Sequence, residues 1–132
     1  MEITIDTSSV LAVCINEPSK PQLISLTKGA SLVAPKSIHW EMGNALSAML
    51  KRDRIDAVAA EACLQAYAQI PIKLVDVDLS HSLLLAVKLR LYAYDAYLLS
   101  CAIQHHTPLL SLDAALNRAA HELGITTIGD WT

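Results

Sequence analysis

The chain has 132 residues, with ten Lys and Arg against thirteen Asp and Glu and a formal net charge of −3. This is the length of one domain, and surface scaling buries about two thirds of the unfolded chain's area, enough for a core without disulfides or a structural metal. Apolar residues at 53% and charged residues at 17% exclude a long disordered segment, and the mild acidity counts against a general nucleic-acid binder.

Glu2 to Asp6 alternates polar and apolar residues and reads as a short strand. Ser8 and Ser9 are placed to cap a helix through Val10, Leu11 and Val13. Glu17-Pro18-Ser19-Lys20-Pro21 breaks the chain before a second helix that runs to Lys28, ahead of Gly29. Leu32-Val33-Ala34 reads as a buried strand closed by Pro35. Ser37 then opens a long helix with Met42, Ala45, Leu46, Met49 and Leu50 at helical spacing.

Asp53 to Gln69, rich in Ala and free of Gly and Pro, predicts a further helix ended before Pro71. Ile72 to Val77 alternates as a strand, and helices are expected over Leu79–Leu89 and Asp95–His105. A strand Leu109–Leu112, a helix Ala114–Leu123 and a last strand Ile125–Ile128 complete the pattern. Strands alternating with helices imply an α/β/α sandwich around a mostly parallel central sheet, spanning residues 1–132 as one domain.

Cys14, Cys63 and Cys101 are odd in number, far apart and without a CxxC, as in a reduced cytoplasmic protein. The first residues carry acids where a signal peptide has a basic flank, and no apolar run approaches membrane-spanning length, so no membrane association is expected. Four glycines, with no GxGxxG, GxxxxGK[ST] or GxSxG, argue against a glycine-cradled nucleotide and a hydrolase nucleophile elbow. Cys101 and His105 are spaced as zinc ligands on a helix but have no second pair. His39 and His81 stand alone.

Acids mark the chemistry. Asp6 follows the first strand, and Asp113 follows the strand that begins at Leu109. In an open parallel sheet the functional crevice lies at the strands' carboxyl ends, so both point to one edge. Asp95 opens a helix within an otherwise apolar run, where an unpaired charge is costly. Glu41 lies in a first helical turn, and at about 100° per residue Glu41, Asn44, Ala48 and Arg52 fall within roughly 60° of one line. Single acids at these places also make ordinary caps. Gathered, they suit a hard divalent cation with oxygen ligands.

Asp6-Thr7-Ser8, Glu41-x-x-Asn44-Ala45-Leu46, Tyr94-Asp95-Ala96-x-Leu98 and Ser111-x-Asp113, in this order and spacing, resemble PIN-domain proteins of the VapC type, the toxin ribonucleases of VapBC toxin–antitoxin pairs. The resemblance implies an endoribonuclease dependent on one or two Mg²⁺ or Mn²⁺ ions, with Asp6, Glu41, Asp95 and Asp113 as catalytic and metal-binding acids. Ser8, Asn44 and Ser111 would support them. It also implies a homodimer and a small cognate antitoxin. Where many members carry a further acid after the last aspartate, Ala114, Ala115 and Leu116 follow here, with Asn117 the next polar residue.

RNA contacts are expected from Lys51, Arg52 and Arg90, with Arg54 and Lys88 close by. Tyr92, Tyr94 and Tyr97 are read as core or dimer packing rather than as base-stacking rings. The competing reading is a PIN-like module that binds RNA or protein without cutting. Setting the four site acids aside leaves ten basic residues against nine acidic ones, a nearly neutral surface that permits RNA binding without strong salt dependence.

Overall fold

A computed structural model describes residues 1–129 and 131. Four strands, β1 (Glu2–Ile5), β2 (Ser31–Pro35), β3 (Ile72–Val75) and β4 (Leu109–Leu110), pair in the order β3-β2-β1-β4, every pair parallel. The sheet is thus wholly parallel. β1 is central and buried on both faces, which is why Ile3, Thr4 and Ile5 are all inaccessible. Its one buried polar side chain is satisfied: the Thr4 hydroxyl is 2.7 Å from that of Thr107 and 3.7 Å from Cys101 Sγ.

Helices α1 (Thr7–Cys14), α2 (Lys20–Thr27), α3 (Ile38–Lys51) and α4 (Ala57–Gln69) cover one face of the sheet. Their core holds Ile3, Ile5, Val10, Leu23, Ile38 and Met42. Helices α5 (Leu79–Leu89), α6 (Ala93–His105) and α7 (Ala114–Glu122) cover the other face around Leu98, Leu99, Leu109 and Leu116. The connections run outward from β1 to β2 to β3 and then cross to β4 on the opposite flank of β1. The reversal between β1 and β4 is a topological switch point, where a parallel sheet opens a crevice beyond its carboxyl ends.

Several boundaries differ from the sequence expectation, each for a local reason. Asp6, not Ser8 or Ser9, caps α1: its carboxylate accepts the Ser9 amide at 3.0 Å, and both serines lie inside the helix. Asp53 has φ +54°, a left-handed kink that separates α3 from α4, so α4 waits for Asp56, whose Oδ1 accepts the Ala59 amide at 2.8 Å. α6 starts at Ala93 with Tyr92 as its flanking residue, so Asp95 lies in the first turn instead of opening the helix.

β4 ends at Leu110 because side chains take over from the ladder: Ser8 Oγ accepts the Leu112 amide and Ser111 Oγ the Asp113 amide. With so short a partner, Ile125–Ile128 forms no strand and pairs only through one bridge, Leu109 to Thr127. β3 stops at Val75, whose carbonyl accepts the Lys36 amide; the next residue, Asp76, pairs with the Lys36 side chain at 3.1 Å. Among the described residues no helix is long and apolar enough to cross a membrane.

Candidate active site

The switch point puts the end of β1 beside the end of β4, and the sequence places an acid just beyond each. Asp6 is only 3% exposed. Its Oδ1 accepts Ser8 Oγ (2.9 Å) and the Ser9 amide; its Oδ2 accepts Ser8 Oγ (2.8 Å) and Ser111 Oγ. These bonds hold the carboxylate in one orientation and favour its charged form, yet burial outweighs them and pushes its pKa up. Ser8 has one hydroxyl proton to share between the two oxygens, so Asp6 keeps acceptor capacity. Ser111 is itself fixed, its carbonyl accepting Asn117 Nδ2 at 2.9 Å.

Asp113 caps α7, with Oδ1 accepting the Ala115 and Leu116 amides. Both bonds use one oxygen and leave Oδ2 free of the helix. Asp95, half-buried in the first turn of α6, has its pKa raised by burial, then by the charges of Asp113 and Asp6. Glu41 approaches from the first turn of α3. Burial pushes its carboxyl up from 4.5 to about 7, and repulsion from Asp6 and Asp95 adds to the rise. The Thr7 hydroxyl is near enough to oppose this shift but does not reach hydrogen-bond geometry. Glu41 Oε2 and Thr7 Oγ1 are both buried without a partner. An orphan carboxylate oxygen inside a protein is costly and marks a place for a ligand.

Glu41 feels Asp6 and Asp95, and Asp95 feels Asp113 and Asp6, so four acids from four elements lie within electrostatic reach of one another beyond the switch point. Thr7, which stands in the first motif but was given no role from the sequence, belongs with them. A divalent cation fits this donor set of hard oxygens, an orphan buried Glu41 oxygen and an unused Asp113 oxygen. Among the described residues no three His, Cys, Asp or Glu side chains already stand as a ligand cage.

The other predicted residues are elsewhere. Asn44 is exposed on α3, one turn beyond Glu41. Lys51 and Arg52 are exposed at the far end of that helix, with Arg52 about 16 Å along the axis from Glu41. Arg90 is exposed in the left-handed turn that ends α5. Tyr92 is 86% exposed and Tyr94 is exposed beside Asp95, so neither packs in the core. His39 Nδ1 is 3.3 Å from the Tyr67 hydroxyl and His81 Nδ1 is 3.1 Å from Ser100 Oγ.

The PIN domain family model matches residues 3–122. The chain belongs to the PIN-domain family. Solved structures with the same fold include PAE2754 from Pyrobaculum aerophilum, 22% identical with a TM-score of 0.70 over 90% of this chain and 86% of that one. VapC20 from Mycobacterium tuberculosis, a sarcin-ricin loop cleaving toxin, is 13% identical with a TM-score of 0.68 over 97% and 99% of the two chains. VapBC2 from Rickettsia felis, bound to a DNA fragment from its promoter, is 14% identical with a TM-score of 0.65 over 97% and 98%. No curated protein matches the chain. The PIN fold read from the four acidic motifs is therefore the fold observed.

Proposed function

We propose that this PIN domain, residues 1–132, is a cytoplasmic endoribonuclease dependent on Mg²⁺ or Mn²⁺, one or two ions, and the toxin of a type II toxin–antitoxin pair. The observation that carries the proposal is the convergence of Asp6, Glu41, Asp95 and Asp113 at the switch point, with three of the four pKa values raised. Clustered acids that resist ionisation are where a cation has most to gain.

Asp6, Asp95 and Asp113 would hold the ion. When bound, it supplies a water of lowered pKa and offsets charge on the phosphoryl group. Glu41, titrating near neutral pH, is suited to orient the attacking water and take its proton at Oε2. Ser8 and Ser111 keep Asp6 from rotating away. Asn44, nearest of the supporting residues to solvent, would meet substrate, with Arg52, Lys51 and Arg90 gripping phosphates further out.

The likeness to VapBC2 supports a small protein antitoxin as partner. A homodimer is supported by α5, which exposes Leu79, Leu83, Leu84 and Val87 on one broad apolar face. Inducible expression of wild type and Asp95→Asn, with mapping of the RNA ends that accumulate, tests the activity. Growth arrest with discrete new ends in wild type alone is the expected result. Equal effects in both strains, or none in either, would favour the non-cutting module.

A further inference from the structure

Trp40 is 68% exposed, immediately before Glu41 on α3. An indole is large and apolar and ordinarily anchors a core or an interface. Its neighbouring ring is that of the preceding residue, also exposed. The His39 ring meets it edge-on, with centroids 5.2 Å apart at 82°, and His39 Nδ1 is 3.3 Å from the hydroxyl of Tyr67 on α4. Helical geometry sets what lies beside it. At about 100° per residue, Asn44, Ser47 and Lys51 fall within about 40° of the line through Trp40, while Glu41 is about 100° round. All three are exposed. A track thus leads from an aromatic ring beside the acids, over two polar residues, to a cation about 16 Å away.

We propose that Trp40 is a base-stacking, specificity-determining residue, which receives an unpaired base of the RNA next to Glu41 while Asn44, Ser47 and Lys51 guide the strand along α3. The inference rests on the reading of the acid site as an RNA-cutting centre and names what selects the substrate there. Charge and polarity favour this occupant over a protein. The exposed residues along its helix line are polar, and the track ends at Lys51, with Arg52 and Arg54 beyond it outweighing Asp53, as a polyanion requires. A base buried in a duplex cannot reach the indole face, so unpaired nucleotides are selected.

The test combines intrinsic fluorescence with cleavage kinetics. The chain has two tryptophans, Trp40 and Trp131, so the signal lost in Trp40→Phe belongs to Trp40. The probe is a short single-stranded 2′-O-methyl oligoribonucleotide of mixed sequence, compared with the same sequence as a duplex. The single strand should quench wild type strongly, quench Trp40→Phe weakly, and bind more tightly than the duplex. Trp40→Ala should weaken binding about 5- to 140-fold, the loss expected of one stacked base, and raise KM with kcat little changed. Trp40→Phe should keep most of the affinity.

Wild-type KM and affinity in Trp40→Ala, quenching that persists in Trp40→Phe, or a duplex bound as tightly would overturn the assignment and leave the cutting activity standing. Unchanged RNA affinity with loss of a bound protein partner would overturn it too. RNA quenching without any cleavage would keep Trp40's role and sink the activity. A wild type neither quenched by RNA nor able to cut it would sink both.

Discussion

Glu41 holds a proton near neutral pH because its carboxyl is buried among other acids with one oxygen unpartnered. Its folded pKa, about 7, lies above the ordinary 4.5, so between those values the folded chain binds more protons than the unfolded one. In the metal-free protein Glu41's contribution to stability should therefore be fully present below about pH 4.5 and be lost as pH rises through about 7. That loss is at most about 3 kcal/mol. Asp6 and Asp95 shift in the same direction. Urea unfolding from pH 4.5 to 8 checks this: Glu41→Gln should flatten the fall, and a slope identical to wild type would contradict the assignment. The four acids were legible in the sequence because strand ends and first helical turns are recognisable places. The roles of Thr7 and Trp40 were not, since neither periodicity nor spacing shows that a hydroxyl is orphaned or that an indole lies in solvent.

At the scale of elements, each helix that begins with a side-chain cap does so at an aspartate: Asp6, Asp56, Asp78 and Asp113 each accept an amide of their own first turn. Two of these caps belong to the acid crevice and two do not. Asp56→Ala should therefore cost about 1 kcal/mol in thermal or urea unfolding and leave RNA cleavage unchanged. A cleavage defect matching the stability loss would mean that α4 contributes to catalysis. Helix and strand identities followed from hydrophobic period and turn residues, and most bounds were right within a few residues. The differences at the last strands concern pairing. A strand needs a paired neighbour: beyond Leu110 the amides of Leu112 and Asp113 bond to serine side chains, and Ile125–Ile128 meets β4 only around Leu109. Sequence alternation records which faces are apolar, not which ladder is available.

For the whole molecule, the net charge of −3 first suggests a poor partner for RNA. The fold gathers four of the thirteen acids into one crevice, and the surface outside it is close to neutral. Topology does this: crossing from β3 to β4 brings residues 105 positions apart, Asp6 and Ser111, into direct contact. The sandwich also leaves the apolar face of α5 uncovered. If that face joins two copies, Leu84→Glu combined with Val87→Glu should convert a dimer to a monomer in analytical ultracentrifugation; a wild type already monomeric at micromolar concentration would contradict the proposed assembly.

The acid crevice is the centre of the account, and cleavage of a single-stranded RNA by the purified protein tests it most directly, with Mg²⁺ or Mn²⁺ and with the ions chelated. Wild type should cut at discrete positions only with the ion present, and Asp95→Asn should be slower by about 100-fold or more while remaining folded. Equal cleavage by Asp95→Asn, or cutting by wild type that persists in chelator, would contradict the claim that these four carboxylates form a metal-dependent nuclease centre.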